Sequence, residues 1–248
     1  MEEATDDHVE RVVHIPVSPS VTLQAWLFQS RSAGASERGV VLMHPHPKLG
    51  GDARSNNVMS VLCTSLASSK NYALTVLSFN SRGHGGSTGT ATWRGEAERE
   101  DVLGAARWLH ARLGDSSAII IIGYSFGAAV CSSAIGQLCK NAGGVPPWLA
   151  ALVVISYPAG FLSRLVLGCH LEPTKYVTVP KLFIHGGRDQ FCSSGTFEWL
   201  FAQVQEPKDR VFFPEADHFW VGMEDELAHT VCMWLQSCLA RRNLRNSQ

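Results

Sequence analysis

The chain has 248 residues, 45% hydrophobic and 17% charged, with a net charge of −1. That length can bury a large core without staples, and a balance this close to neutral, with no basic domain, argues against a nucleic-acid partner. The seven cysteines are odd in number and none is spaced C-x-x-C. They read as small buried groups in a reducing compartment, so the expected location is cytoplasmic. Residues 1–7 are acidic and lack the basic and apolar regions of a secretory signal, and no apolar run is long enough for an integral membrane segment.

Residues 12–17 and 21–28 read as two strands joined by a turn at Ser18-Pro19-Ser20, followed by a Ser/Gly-rich loop over 30–39. A buried-type strand over 40–43 ends at His44-Pro45-His46-Pro47. Residues 56–69 carry Val58, Leu62 and Leu66 at helical spacing. Residues 73–79 form a strand, and 96–113 a helix with Val102, Ala106, Leu109 and Leu113 on one face. Ala118-Ile119-Ile120-Ile121-Ile122 is apolar on both faces and β-branched, as a central parallel strand requires. Residues 126–138 are helical, with Ala128, Ala129 and Ala134 suited to close packing. Strands over 149–156, 181–185 and 210–213 and helices over 195–203 and 224–240 complete the pattern.

From Val40 onward strand and helix alternate. This predicts an α/β fold, with a mostly parallel sheet, helices on both faces and the two leading strands as an antiparallel edge. There is no repeat and no linker, so one domain over 1–248 is expected, with frayed ends at 1–10 and 241–248. Open parallel sheets bind ligands at the carboxyl ends of their strands, so the residues that follow each strand carry the functional signal.

Gly123-Tyr124-Ser125-Phe126-Gly127 matches G-x-S-x-G between the apolar strand and the small-residue helix, the setting of a nucleophile elbow. The glycines allow a tight turn that projects the Ser125 hydroxyl from the sheet. The Phe126 N–H at the helix start is free to bind an oxyanion. A serine hydroxyl needs a general base, and behind such an elbow the chain order is nucleophile, acid, histidine. His218, in Glu215-Ala216-Asp217-His218-Phe219 after the last strand, suits the base. Asp189, in Gly186-Gly187-Arg188-Asp189, suits the acid that fixes its tautomer. His185 reads as structural, and Asp217, next to the base, as capping or solvent-facing.

The second oxyanion donor is expected from the loop after residue 43. Proline has no N–H, which leaves the His46 N–H between Pro45 and Pro47. His44 and His46 also stand at a metal-ligand spacing, so a metal-dependent hydrolase is one alternative. A non-catalytic ligand-binding protein on the same scaffold is another. Asn80-Ser81-Arg82-Gly83-His84-Gly85-Gly86-Ser87 lacks the order of a phosphate-binding loop and reads as a tight loop whose Arg82 pairs with a carboxylate.

Taken together, His44-Pro45-His46-Pro47 with Gly50-Gly51, Phe79 to Gly85, Gly95-Glu96, Gly123 to Gly127, Gly187-Arg188-Asp189 and Ala216-Asp217-His218-Phe219 resemble one family. It is that of the small α/β-hydrolases related to dienelactone hydrolases and acyl-peptide-type serine hydrolases. The resemblance spans about residues 40–239. It implies the α/β-hydrolase fold with an eight-stranded sheet and hydrolysis of a small-molecule acyl ester or thioester through an acyl-serine, with no cofactor. Dienelactone hydrolases use a cysteine nucleophile where this chain has Ser125. Only residues 156–179 separate two strands where many relatives carry a helical cap, so a minimal cap or none is expected.

Overall fold

The computed structural model describes residues 8–30, 37–69, 73–141, 144–167 and 171–246. Strands β1 (His8–Ser18) and β2 (Val21–Ser30) form an antiparallel hairpin. There follow β3 (Arg38–Met43), α1 (Asn57–Ala67), β4 (Thr75–Phe79), α2 (Glu98–Leu113), β5 (Ala118–Tyr124) and α3 (Phe126–Asn141). The remainder is β6 (Leu149–Ile155), α4 (Phe161–Leu167), α5 (Leu171–Thr174), β7 (Lys181–Gly186), α6 (Ser194–Gln203), β8 (Lys208–Phe213) and α7 (Glu224–Asn246). The strands make one eight-stranded sheet in the order β1-β2-β4-β3-β5-β6-β7-β8, parallel from β4 to β8. This is the α/β-hydrolase fold that the sequence resemblance implies. The excursion between β6 and β7 contributes only the short helices α4 and α5 among the described residues.

Alternation along the central strands divides the apolar residues into two cores. In β5, Ile119 and Ile121 face the layer of α2, α3 and α6, while Ile120 and Ile122 face α1 and α7. Val41 and Met43 against Val40 and Leu42 repeat the division in β3. The chain leaves β3 toward β4 and then crosses back, so β5 lies on the other side of β3. The strand order therefore reverses between β3 and β5, and the carboxyl ends at such a reversal are where open α/β sheets bind their ligands. Met43 pairs with Gly123, which brings the loops after both strands out side by side.

Regular structure reaches into both segments expected to fray. His8, Val9 and Glu10 belong to β1, paired with Ser30, Gln29 and Phe28, because the hairpin ladder is held by backbone groups where apolar alternation has stopped. Residues 1–7 lie outside the described residues. The last helix continues through Asn246, and Arg242 donates to the carbonyls of Leu149 and Pro147, tying the helix to the start of β6. Basic residues in a last turn also favour the helix dipole. Residues 247–248 lie outside the described set, as do 31–36 of the expected Ser/Gly-rich loop and Cys169. The other cysteines form no disulfide.

The expected partner of Arg82 is Asp101. The Arg82 backbone N–H and Nε both reach this fully buried carboxylate at 2.9 Å, and Nη2 reaches it at 2.8 Å. The pair fastens the loop after β4 to α2. Without Asp101, Arg82 keeps only the exposed Glu100 carboxylate, 3.3 Å from Nη2, and loses its buried counter-charge. Asp101→Ala should therefore lower the unfolding free energy by about 3 kcal/mol in urea titration, and Arg82→Met in the same chain should recover part of the loss. A single variant as stable as wild type would contradict this.

Candidate active site

The turn between β5 and α3 is built by close approach. A Cβ on Gly123 would lie 2.4 Å from the Gly127 carbonyl oxygen, and one on Gly127 would lie 2.3 Å from that of Met43. No side chain fits at either position, so the two glycines of the motif are required by packing. Between them Ser125 has φ 56°, a left-handed conformation that L residues avoid.

Three of the expected side chains meet. Ser125 Oγ lies 2.8 Å from His218 Nε2, and His218 Nδ1 lies 2.7 Å from Asp189 Oδ2. A carboxylate only accepts, so Nδ1 carries the proton and Nε2 is left to accept from the serine hydroxyl. Asp189 is itself fixed, since its Oδ1 accepts the N–H groups of Phe191 and Cys192 at 2.8 and 3.0 Å. The exposures of Ser125, Asp189 and His218 are 8%, 8% and 4%, which withdraws the chain of hydrogen bonds from bulk water and strengthens it. The His218 ring is flanked by Phe191, with centroids 4.4 Å apart, and by Phe219 at 5.6 Å.

The expected oxyanion donors leave neighbouring strands. Among the described residues neither the His46 nor the Phe126 backbone N–H has a hydrogen-bond partner, and the His46 ring packs on Phe126 with centroids 4.6 Å apart. His46 Nδ1 accepts the Lys48 N–H at 3.2 Å, which closes the loop. Burial lowers the pKa of His46, against the Trp93 carbonyl, which favours its charged form.

His44 is committed elsewhere. It is fully buried, its Nε2 accepts the Ser81 N–H at 3.0 Å, and its Nδ1 donates to the Pro45 carbonyl. Among the described residues no three His, Cys, Asp or Glu side chains are grouped to hold a metal ion. The metal-hydrolase alternative thus lacks a converging ligand set. His185 lies flat on Phe197, its Nδ1 4.0 Å from Asp189 Oδ2 and beyond hydrogen-bond reach. Asp217 caps its turn, accepting the N–H groups of Phe219 and Trp220. In the glycine-rich loop the Gly83 and Ser87 amides bond to Thr88 and His84 carbonyls, and that of Gly86 bonds to the Gln24 side chain.

Sequence reasoning missed Tyr124, whose hydroxyl donates to the His218 carbonyl at 2.7 Å and ties the end of β5 to the His218 loop. It also missed the aromatic flank of Phe191. The motif position of Tyr124 was visible, but the direction of its side chain was not.

The sequence pattern of the alpha/beta hydrolase family matches residues 40–246. An uncharacterized protein of Mycobacterium tuberculosis is 30% identical over 223 residues, covering 84% of this chain and 72% of its own. A serine hydrolase without lid from Xanthomonas campestris superposes with a TM-score of 0.72 at 21% identity, covering 94% of both chains. An esterase of Pyrococcus furiosus does so with a TM-score of 0.76 at 20% identity, covering 93% of this chain and 91% of its own. Est1E from Butyrivibrio proteoclasticus, solved with ferulic acid bound, gives 0.72 at 16% identity over 92% of this chain and 99% of its own.

Burial holds the pKa of His44 down at about 4, from an ordinary 6.5. The nearby His84 and His46 also oppose its charge, while the Pro45 carbonyl and Asp52 favour it without prevailing. Above pH 6.5 the residue is neutral whether folded or unfolded, and its contribution to stability is complete. As pH falls from 6.5 to 4 only the unfolded chain takes up the proton, so stability declines by up to about 3 kcal/mol. Urea midpoints should fall across that window, and His44→Gln should flatten the fall. Equal pH slopes in the two proteins would refute this role for His44.

Proposed function

The chain belongs to the alpha/beta hydrolase family, and within it we propose that the protein is a serine hydrolase that cleaves an ester or thioester by acyl transfer through Ser125. The observation that supports this most is the continuous hydrogen-bonded chain from Ser125 Oγ through His218 to Asp189.

The reaction needs water and no cofactor. His218 Nε2 takes the proton as Ser125 Oγ attacks the substrate carbonyl carbon, and Asp189 stabilises the imidazolium. The negative charge that develops on the carbonyl oxygen is met by the N–H groups of His46 and Phe126. On collapse of this intermediate the leaving group departs with the proton from His218. Water then repeats the sequence, giving its proton to His218 and its oxygen to the acyl group, and Ser125 recovers its hydrogen.

Phe191 and Phe219 beside His218 favour an uncharged acyl group. The short α4–α5 excursion favours small groups or ones presented at a surface. The bound ferulic acid in the Butyrivibrio structure makes hydroxycinnamoyl esters a sensible member of any substrate panel. The odd cysteine count favours a cytoplasmic setting, and no helix among the described residues is long and apolar enough to cross a membrane. A single domain without a nucleic-acid partner completes the proposal.

Steady-state hydrolysis of p-nitrophenyl and thioester substrates tests it. Ser125→Ala and His218→Ala should abolish turnover, Asp189→Asn should lower kcat by about 10⁴, and a chelator should change nothing. Wild-type-like rates in Ser125→Ala would sink the proposal. Chelator-sensitive activity would point to the metal alternative. Tight binding of a small molecule, with no turnover across the panel, would point to a non-catalytic protein.

A further inference from the structure

Ser125 is one of three residues that share an uncommon backbone. Among the described residues the non-glycine positions with positive φ are Ser125, Ser156 at 48° and Trp220 at 61°. All three sit at the carboxyl edge of the sheet. Ser156 follows the last residue of β6, and Trp220 lies two residues beyond His218. Such conformations persist only where the surroundings enforce them, and they concentrate at functional sites.

The three positions are tied together. The Ser125 N–H donates to the Ile155 carbonyl at 2.9 Å, and the Ser156 N–H donates to the Ile184 carbonyl at 2.9 Å. The Trp220 indole Nε1–H donates to Ser156 Oγ at 2.9 Å. Trp220 and Ser156 are both completely buried, and the indole meets Phe213 edge-on at the end of β8. A buried indole N–H needs an acceptor, and a smaller apolar ring would fill space there without that requirement. Packing alone therefore does not account for a tryptophan and a serine held in left-handed backbone and joined to each other.

One residue, Phe219, separates His218 from Trp220. Asp217 Oδ1 accepts the N–H groups of both Phe219 and Trp220, at 2.9 Å each, which ties the turn together. Tyr124 holds the same segment from the other side through the His218 carbonyl. The depth at which Trp220 is anchored thus sets how far the His218 ring reaches toward the nucleophile.

We propose that the buried Trp220–Ser156 hydrogen bond is a positioning device, which holds the 217–220 turn at the depth from which His218 reaches Ser125. Neither residue touches the substrate. The inference rests on the reading of Ser125 and His218 as nucleophile and base, and displacement of the base by a fraction of an ångström is what its loss would cause.

The test compares wild type, Ser156→Gly, Trp220→Phe and the double variant as full-length chains. Ser156→Gly removes the acceptor and relieves the positive φ in one change, which offsets part of the cost of the orphaned indole N–H. Trp220→Phe removes the donor and keeps a ring against Phe213. Four quantities are read: kcat and KM for p-nitrophenyl acetate, the rate at which a fluorophosphonate labels Ser125, and the thermal midpoint. Each single variant should lower kcat and the labelling rate by about tenfold, with KM within about twofold. The double variant should be no slower than the slower single one by more than about twofold, because both break one bond.

Folded single variants with wild-type kcat and labelling would overturn the proposal, and so would a rise in KM at constant kcat. If Trp220→Phe does not fold, Ser156→Gly decides alone. A wild-type protein that hydrolyses esters without labelling at Ser125 would overturn the nucleophile assignment and this inference with it. Normal wild-type labelling with unaffected variants would overturn the positioning role only.

Discussion

The close packing of α3 against the ends of β5 and β3 is the constraint on which the site depends. The helix starts so near the two strands that no Cβ fits at positions 123 and 127. The chain can turn there only by forcing Ser125 into left-handed backbone. That one turn sends the hydroxyl outward, leaves the Phe126 N–H without a partner and sets it beside the loop that begins after Met43. Register then completes the arrangement, because Met43 and Gly123 are partners across the parallel ladder. The left-handed backbone of Ser125 and the position of the Phe126 N–H at the helix start share this single cause.

The remaining members arrive from the far side of the sheet. Asp189 follows β7 and His218 follows β8, on adjacent parallel strands whose carboxyl ends share one rim. The carboxylate is immobilised by two backbone N–H groups before it meets the imidazole. The imidazole loop is held by Tyr124 at its carbonyl and by its own capping aspartate. Pre-organisation of this kind means that few groups need reorient when charge develops, which is where electrostatic catalysis gains most.

The sheet was legible in the sequence wherever burial wrote a pattern. The Ile run of β5 and the small residues of α3 marked the central strand and its helix, and the turn between them marked the serine. That His218 and Asp189 would meet Ser125 was legible because each follows a strand, in the chain order read from the motif. Patterning failed where backbone pairing or single side chains do the work. His8–Glu10 extend an edge strand without apolar alternation, and the final turns of α7 are polar. The partner of Arg82 was foreseen as a carboxylate, but nothing in the one-dimensional spacing favoured Asp101 over its neighbours Glu98 and Glu100. Tyr124, Ser156 and Trp220 carry no signal in the spacing, since what each does depends on where one hydroxyl, one Oγ and one indole N–H point.

The acyl-serine intermediate itself is the most direct object to seek. The protein would be mixed with an activated ester in molar excess, quenched in acid within milliseconds, digested and mapped by peptide mass spectrometry. The triad reading predicts the acyl mass on the peptide that carries Ser125, at a stoichiometry approaching one per chain. Rapid ester turnover with the acyl group on another residue, or with no acylated peptide at any quench time, would contradict it.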